Sequence, residues 1–246
     1  MLLMIAASSV HSQQTWTSTG NGDWGVNATW TLSNGATGTP PTSLNGDNIK
    51  IVIQNGDEIT LSNKLEVTSN SELEISGGGT LIINNEFIIN ESDVTVDNVT
   101  IDASSKIDIK NTSNLYVTNN SDINTDSEFK IENSNVSLNN SNITAVNKIG
   151  IKNSTFNAEN NSEVNSTSSE LILESGSTVT IDNSNVTIKT KIEVKDTSIF
   201  NANNNSEVSA DDDIIVNDGD GSKFNVDNST VTINGTEQSP DNNTDI

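Results

Sequence analysis

The sequence predicts an all-β protein: a single right-handed parallel β-helix (β-solenoid) with three short strands in each coil of about 20–24 residues and an N-terminal cap. Three observations support this prediction. Short segments of alternating apolar and polar residues recur at a nearly constant spacing, clusters of Asn, Ser, Gly and Asp separate them, and the charges at one repeat position alternate in sign. No segment shows the 3.6-residue period of an amphipathic helix.

The repeat is clearest from residue 64 onwards. When the sequence is written with one repeat of about 20–24 residues on each line, eight alternating segments open the lines. They read KLEV, EFII, KIDI, EFKI, KIGI, ELIL, KIEV and DIIV. Two further alternating segments follow in a line, such as Leu73/Ile75 and Leu81/Ile83. Clusters such as Asn119-Asn120-Ser121 lie between segments and favour turns. Each line therefore encodes three short strands.

Stacking of the lines explains how these apolar residues are buried. One line offers only about six inward positions, which is too few for a core. Lines stacked about 4.8 Å apart would form continuous apolar columns and pair each backbone amide with a neighbouring coil. We therefore predict about nine coils over residues 47–236, in a rod of roughly 40 Å. The predicted hand follows from the right-handed preference of parallel crossover connections.

Charge alternation predicts the register of the stack. The residues that open the lines alternate in sign without exception: Lys64, Glu86, Lys106, Glu128, Lys148, Glu170, Lys191 and Asp213. Residues four positions further on alternate as well: Lys110, Glu132, Lys152, Glu174 and Lys195. Opposite charges on adjacent coils oppose a slip by one coil, although each exposed pair contributes only about a few tenths of a kcal/mol. The first-strand face holds eight of the 11 lysines and nine of the 34 acidic residues, so it is nearly neutral.

Residues 13–46 differ from the repeats and contain all three tryptophans, Trp16, Trp24 and Trp30. These rings could form a platform on which sugars stack, or a cap over the open end of the first coil. We favour the cap, because repeat arrays need capped ends and an exposed β edge invites pairing with other chains.

The N-terminal segment carries a family resemblance. It reads TWT, GDW and ATW, followed by PP and GDNIKIVIQNGDEITL. This pattern resembles the Trp-rich entry of secreted parallel β-helix (pectin-lyase-like) surface proteins of the adhesin type, many of them from Bacteroidota. The resemblance implies export and display at the cell surface.

The two ends of the chain predict its location. Residues 1–12 read MLLMIAASSVHS, which is typical of a secretory signal peptide ending at Ser12. No segment approaches the ~20 apolar residues of a transmembrane helix, so we expect a secreted protein that does not span a membrane. Residues 237–246 carry no apolar pattern and are expected to form a disordered tail. The last coil has no apparent cap, which is expected either for continuation into another chain, end to end, or for a truncated chain.

Composition excludes several kinds of chemistry. The 246-residue chain has no cysteine and no arginine, its only histidine (His11) lies in the predicted signal peptide, and its formal net charge is −23. These features argue against thiol or imidazole catalysis, zinc sites and binding to nucleic acid.

Two sequence motifs weakly resemble functional sites, one catalytic and one metal-binding. Fragments of a β-helix hydrolase pattern stand at Asn124-Thr125-Asp126 and Asp211-Asp212-Asp213, and nothing completes that pattern. We therefore predict no enzyme activity and no catalytic residue. The loop Asn217–Ser222 is acidic and glycine-rich, so calcium is conceivable there, but a solvated turn is favoured and we assign no metal ligand or cofactor.

These observations predict a non-enzymatic, acidic, Asn-rich, secreted solenoid that acts as a structural or adhesive element at the cell surface or in extracellular matrix. The expected partners are an extracellular surface, a glycan, or further copies joined end to end. One alternative is a carbohydrate-binding or carbohydrate-active β-helix. A second is an ice-binding solenoid, for which the outward positions of the third strand are expected to form one ladder: Thr100, Asn124, Thr144, Asn165, Thr187, Ser209 and Thr232.

Overall fold

A computed structural model describes residues 13–234 and confirms the predicted fold class. Three parallel β-sheets wrap around one core in a solenoid of about nine turns, with three strands in each coil. The only helical elements in the described range are two 3-10 turns, Asn27–Thr29 and Asp218–Asp220. Residues 1–12, the predicted signal peptide with His11, and residues 237–246, the predicted tail, lie outside the described residues.

Thirty short strands follow one another along the chain. The first ten are β1 (Gln14–Ser18), β2 (Gly22–Asp23), β3 (Trp30–Leu32), β4 (Ser43–Asn45), β5 (Asn48–Val52), β6 (Glu58–Leu61), β7 (Leu65–Thr68), β8 (Glu72–Ser76), β9 (Thr80–Ile83) and β10 (Phe87–Asn90). The next ten are β11 (Asp93–Asp97), β12 (Thr100–Ala103), β13 (Ile107–Lys110), β14 (Asn114–Thr118), β15 (Asp122–Thr125), β16 (Phe129–Glu132), β17 (Asn135–Asn139), β18 (Asn142–Ala145), β19 (Ile149–Lys152) and β20 (Thr155–Glu159). The last ten are β21 (Glu163–Ser166), β22 (Leu171–Glu174), β23 (Thr178–Asp182), β24 (Asn185–Ile188), β25 (Ile192–Val194), β26 (Ile199–Asn203), β27 (Glu207–Ala210), β28 (Ile214–Val216), β29 (Lys223–Asp227) and β30 (Thr230–Ile233).

Each sheet collects every third strand of the coils. Sheet 1 runs from β4 through β7 and β10 to β28, sheet 2 from β5 through β8 to β29, and sheet 3 from β6 through β9 to β30. Equivalent positions of successive coils lie directly beside one another, as Leu65, Phe87, Ile107 and Phe129 do in sheet 1. The repeat length in the sequence therefore equals one full turn of the solenoid.

The core consists of apolar columns that run the length of the rod. Phe87 and Phe129 lie in the sheet 1 column and Phe156 and Phe200 in the sheet 2 column, all at most 1% exposed. Phe200 stacks on Phe224 of the next coil, with ring centroids 4.7 Å apart. Burying each such side chain contributes about 1.5–3 kcal/mol, so stacking supplies the core that no single coil could form.

The N-terminal segment extends the sheets and closes one end of the core. Strand β1 pairs in parallel with β5 and antiparallel with β3, and β2 adds to sheet 3 beside β6. Trp24 is 1% exposed, its ring contacts that of Trp30 edge to face at 5.3 Å, and its indole N–H donates to the Pro40 carbonyl. Sheet 1 begins at Ser43, so the first coil starts inside the Trp-rich segment.

Asparagine is frequent because the corners between sheets need left-handed backbone. Asparagine accounts for 14 of the 20 non-glycine residues with positive φ in residues 13–234, among them Asn119 at 58° and Asn120 at 60°. A left-handed conformation costs most L-residues roughly 1–2 kcal/mol, and Asn adopts it more readily than other non-glycine residues. The Asn clusters are therefore a requirement of the fold.

Candidate functional site

The outward face of sheet 1 carries the most regular array of charges in the described structure. The eight strands of this sheet from β7 to β28 each contribute one row of three outward side chains, at an opening, a middle and a closing position. The rows are row 1 (Lys64, Glu66, Thr68), row 2 (Glu86, Ile88, Asn90), row 3 (Lys106, Asp108, Lys110), row 4 (Glu128, Lys130, Glu132), row 5 (Lys148, Gly150, Lys152), row 6 (Glu170, Ile172, Glu174), row 7 (Lys191, Glu193, Lys195) and row 8 (Asp213, Ile215, Asn217). The strand register brings the opening residues of successive rows side by side, and the closing residues likewise.

Some neighbours in these two columns form ion pairs. In the opening column the Lys106 ammonium lies 3.8 Å from Glu86, and that of Lys191 lies 3.4 Å from Glu170. In the closing column, two further pairs are formed: Lys152 to Glu132 at 3.7 Å and Lys195 to Glu174 at 3.8 Å. The other neighbours of the two predicted ladders are more than 4.0 Å apart in the described structure.

The shortest ion pairs on this face involve the middle position, which belongs to neither of the two predicted ladders. Lys130 lies 2.8 Å from Glu132 in its own row, and Lys191 lies 2.9 Å from Glu193 in its row. The sequence carries a signal for these pairs, since a middle charge is opposite to its flanks in KIDIK, EFKIE and KIEVK. Charges therefore alternate along the strands as well as between them.

The middle pairs shift the pKa values of their members. The hydrogen bond from Lys130 lowers the pKa of Glu132, and the same bond raises the pKa of Lys130. The hydrogen bond from Lys191 likewise lowers the pKa of Glu193, in spite of partial burial that acts in the opposite direction. Both carboxylates are thus held in the charged form by a lysine of the same row.

Dense packing on this face buries groups that point away from the core. Ile88 and Ile172 are only 8% and 7% exposed, because rows of long charged side chains flank them. The Asp108 side chain is 5% exposed, and its Oδ2 lies 3.5 Å from Lys106 and 3.3 Å from Lys110. Its Oδ1 is buried and has no hydrogen-bond partner among residues 13–234.

The tryptophans considered for either a sugar platform or a cap lie inside the protein. Trp16, Trp24 and Trp30 are 6%, 1% and 5% exposed and belong to the hydrophobic core. Their positions match a covering over the end of the core, and their ring faces are not on the surface. The exposed aromatic side chain lies elsewhere: Tyr116, 45% exposed, in the middle of the outward face of sheet 2.

The two hydrolase-like fragments do not meet. Asp126 and Asp211 follow the sheet 3 strands of coils that are four steps apart, which is about 19 Å along the stack. Paired glycosidase carboxylates lie within about 10 Å of each other. Asp211 instead pairs with Lys189, whose hydrogen bond lowers the pKa of the aspartate.

A shallow, open depression at this corner is lined by Thr167, Ser168, Lys189, Thr190, Asp211, Asp212 and Asn234.

The acidic loop considered for calcium uses one carboxylate to hold its own turn. Asp220 accepts hydrogen bonds from the backbone N–H groups of Asp196 and Ser222 and from the Ser222 hydroxyl, and the hydroxyl contributes most to the lowered pKa of Asp220. Within residues 13–234, no group of three or more carboxylate or imidazole side chains is placed to hold a metal ion.

The outward ladder on sheet 3 has a different first member from the one expected. Thr100 pairs with Asp122, whereas Asn124 pairs with Asp102 and accordingly donates its amide to that carboxylate at 2.8 Å. The expectation that Thr100 heads the ladder was wrong by two residues, because strand β12 begins at Thr100 itself. Carboxylates therefore stand in both columns of this face, which disfavours a regular ice-contacting lattice.

Two serine columns, which sequence reasoning missed, hold the corners together. Between sheets 1 and 2, the N–H of each serine donates to the hydroxyl of the serine one coil further on, through Ser71, Ser92, Ser113, Ser134, Ser154, Ser177 and Ser198. A second column between sheets 2 and 3 repeats the arrangement through Ser121, Ser141, Ser162, Ser184, Ser206 and Ser229. The signal in the sequence is a serine directly before most of the second and third strands of the coils.

The function of this chain has to be inferred from its architecture and its surface. None of the helices described for residues 13–234 has the length and apolar character needed to cross a membrane. No protein-family model, curated protein or solved structure matches this chain.

Proposed function

We propose that the chain is a non-enzymatic, secreted β-solenoid that acts as a structural or adhesive element at the cell surface or in extracellular matrix. The observation that carries this proposal is that polar side chains on all three faces bond to their equivalents in adjacent coils. On sheet 2, for example, the Asn135 amide donates to Asn114 at 3.0 Å, and the Asn114 amide donates to Asp93 at 2.7 Å. Such ladders rigidify a rod and present one motif repeatedly along a surface.

The distribution of charge supports an extracellular role. Outside the face of sheet 1, three lysines stand against 25 of the 34 acidic residues. Such surfaces repel nucleic acid and anionic lipid, stay soluble, and attract cations or neutral polar partners. The resemblance of residues 13–61 to secreted adhesin-type β-helices supports the same assignment.

Carbohydrate binding is a second candidate, and one observation favours it. Tyr116 projects from the centre of sheet 2 with Thr95 and Ser137 as its small neighbours in the column. Asn114 and Asn135 stand in the neighbouring column of the same face. An aromatic ring beside amide groups combines a stacking surface with hydrogen-bond donors and acceptors, which suits a neutral sugar.

Two measurements test the proposed function. The full chain, expressed with its own N-terminus, is expected in the culture supernatant or on the cell surface, and purified protein is expected to appear in electron micrographs as rods. Beads coated with the protein should adhere to extracellular-matrix or polysaccharide surfaces more than beads coated with an acidic globular protein. Retention in the cytoplasm, or turnover of any polysaccharide in a panel assayed with and without calcium, would contradict the proposal.

The carbohydrate candidate has its own control. Tyr116→Ala should abolish binding to a neutral glycan in the same panel, whereas Thr180→Ala, three coils further along the same column, should leave it unchanged. Equal binding by both variants would remove Tyr116 as the binding residue. Electron microscopy of the same samples also tests end-to-end association, because filaments much longer than one rod are expected only if the ends pair.

A further inference from the structure

The charge pattern on sheet 1 is complementary to itself under a two-fold rotation. Consider an axis that lies parallel to the strands, in front of the face and between row 4 and row 5. A second copy generated by this axis lies antiparallel to the first, with row 4 facing row 5, row 3 facing row 6, row 2 facing row 7 and row 1 facing row 8. Opening, middle and closing positions each face the same position of the partner.

Each charged position then meets an opposite charge or an uncharged residue. At the opening position all four kinds of facing pair are opposite in sign, for example Glu128 with Lys148. At the closing position both pairs with two charged members are opposite in sign, for example Glu132 with Lys152. At the middle position every charge faces an isoleucine or Gly150. We propose that two copies of this chain associate side by side and antiparallel through the outward face of sheet 1.

The pattern also selects against the parallel arrangement. A two-fold axis along the rod would place each row opposite itself, with its opening position facing its closing position. Lys106 would then face Lys110, and Glu128 would face Glu132. Like charges would meet in rows 3 to 7, and such contacts are destabilising. The antiparallel pairing matches because the signs alternate from row to row, whereas the parallel pairing fails because the opening and closing residues of rows 3 to 7 share one sign.

The centre of the proposed interface holds two charged groups free to form contacts with the partner. Glu128 and Lys148 form no ion pair within 4.0 Å in the part of the chain that the structure describes. Most of the other charged residues on this face do form one. Both side chains lie over Gly150, where an added Cβ would be 3.2 Å from the Lys148 Cε and 3.4 Å from the Glu128 Oε1.

Area and net charge single out this face. Eight rows about 4.8 Å apart, with three outward side chains each, form a surface of about 750 Å², close to the ~800 Å² that each partner buries in a standard interface. Outside this face three lysines stand against 25 acidic residues, so contacts between copies through the rest of the surface would be repulsive. The face of sheet 1 has eight lysines against nine acidic residues, so two rods meet there without that repulsion.

The inference deepens the proposed structural function, because it names a second copy as the partner of the charged face. Its test uses complementary charge reversals measured by sedimentation velocity at about 0.15 M salt, where distant charges are screened. Wild type is expected to dimerise in a concentration-dependent manner. Glu128→Lys and Lys148→Glu should each weaken dimerisation about tenfold or more, because two opposite-sign contacts become like-sign contacts. An equimolar mixture of the two variants should restore it, since each reversed residue then faces the other.

Matched controls place the same charge changes on other faces. Glu207→Lys on sheet 3 and Lys223→Glu on sheet 2 should leave the dissociation constant within about twofold of wild type. Circular dichroism checks that every variant is folded. Wild type that stays monomeric at high concentration, or a mixture that associates no better than its components, would overturn the proposal.

A second readout does not depend on charge reversal. The chain has no cysteine, so Thr68→Cys and Asn217→Cys introduce unique thiols at opposite ends of the face. A short bismaleimide should cross-link a mixture of these two variants much faster than either variant alone, because row 1 faces row 8. Equal rates in all three samples would refute the antiparallel arrangement. A strictly monomeric rod that still adheres would refute this inference alone, whereas catalytic turnover would refute the proposed function and leave the dimer intact.

Discussion

The serine column between sheets 1 and 2 provides a sharp test of how the coils are held in register. The Ser113 side chain is fully buried, and its hydroxyl oxygen accepts the N–H of Ser92 at 3.2 Å while donating to the Lys110 carbonyl at 2.6 Å. Ser113→Ala keeps nearly the same volume and removes only that hydroxyl. The N–H of Ser92, in the coil before, is then left without its acceptor in a buried corner.

The expected cost follows from this geometry. Leaving one buried amide unsatisfied costs about 1–3 kcal/mol, whereas the loss of volume creates almost no cavity. We therefore expect Ser113→Ala to lower the free energy of unfolding by about 1–3 kcal/mol. Urea denaturation should show a lower midpoint, and hydrogen exchange should be faster at the Ser92 amide than at amides several coils away, because solenoid coils interact mainly with their neighbours.

Ser137→Ala is the matched control. Ser137 points outward from sheet 2 in the next coil and is partly exposed, so its loss should change stability by no more than about 0.5 kcal/mol. If both variants had the same midpoint, and the Ser92 amide stayed as protected as in wild type, the serine column would not hold the coils and the reasoning would be refuted.

Three further predictions concern a core phenylalanine, a glycine packed closely against a neighbouring coil, and the dependence of stability on pH. Phe129→Ala should lower the free energy of unfolding by about 3–5 kcal/mol, since the side chain is fully buried, and a urea midpoint equal to that of wild type would contradict the assigned register. Gly79→Ala should destabilise by about 1–3 kcal/mol, because its Cβ would lie 2.4 Å from a neighbouring side-chain carbon, whereas Gly25→Ala meets nothing within 4 Å and should be neutral in the same thermal melts. Because the hydrogen bond from Lys130 lowers the pKa of Glu132, this carboxylate stabilises the fold above its ordinary pKa of 4.5 and loses that effect as pH falls through its lowered value. Glu132→Gln should therefore flatten the acid side of the stability profile, and an unchanged profile would show that the pair has no effect.

Much of the fold could be predicted because its unit is written many times in the sequence. A single alternating segment such as KIDI does not show which strand it pairs with. Eight such segments with alternating first charges do, since only one stacking register places Lys106 between Glu86 and Glu128. Repetition therefore turns a long-range pairing problem into a pattern along the chain.

Features that depend on a side chain's neighbours within its own coil were harder to predict. The Lys130 side chain bends along its strand to Glu132, a choice of rotamer that no repeat period specifies. Thr100 was assigned to the wrong column because apolar Val99 resembles the first inward residue of a strand, whereas it lies in the corner, at the position that serine fills in later coils. The N-terminal coil has no repeat to compare with, so its sequence did not reveal that β1 and β2 already extend sheets 2 and 3.

Core and surface share a two-coil period over most of the rod; the last coil departs from it, because Phe224 directly follows Phe200 in the sheet 2 column. Phe87 and Phe129 lie in coils whose opening residue is acidic, whereas Phe156 and Phe200 lie in coils whose opening residue is lysine. A slip by one coil would bring phenylalanine against positions filled by aliphatic residues and like charges against each other. Each mismatch costs little by itself, but the same slip would incur all of them along the stack, because every coil is shifted together. Weak charge pairs at an exposed face can therefore determine register in a repeat protein, even though none of them contributes much to its stability.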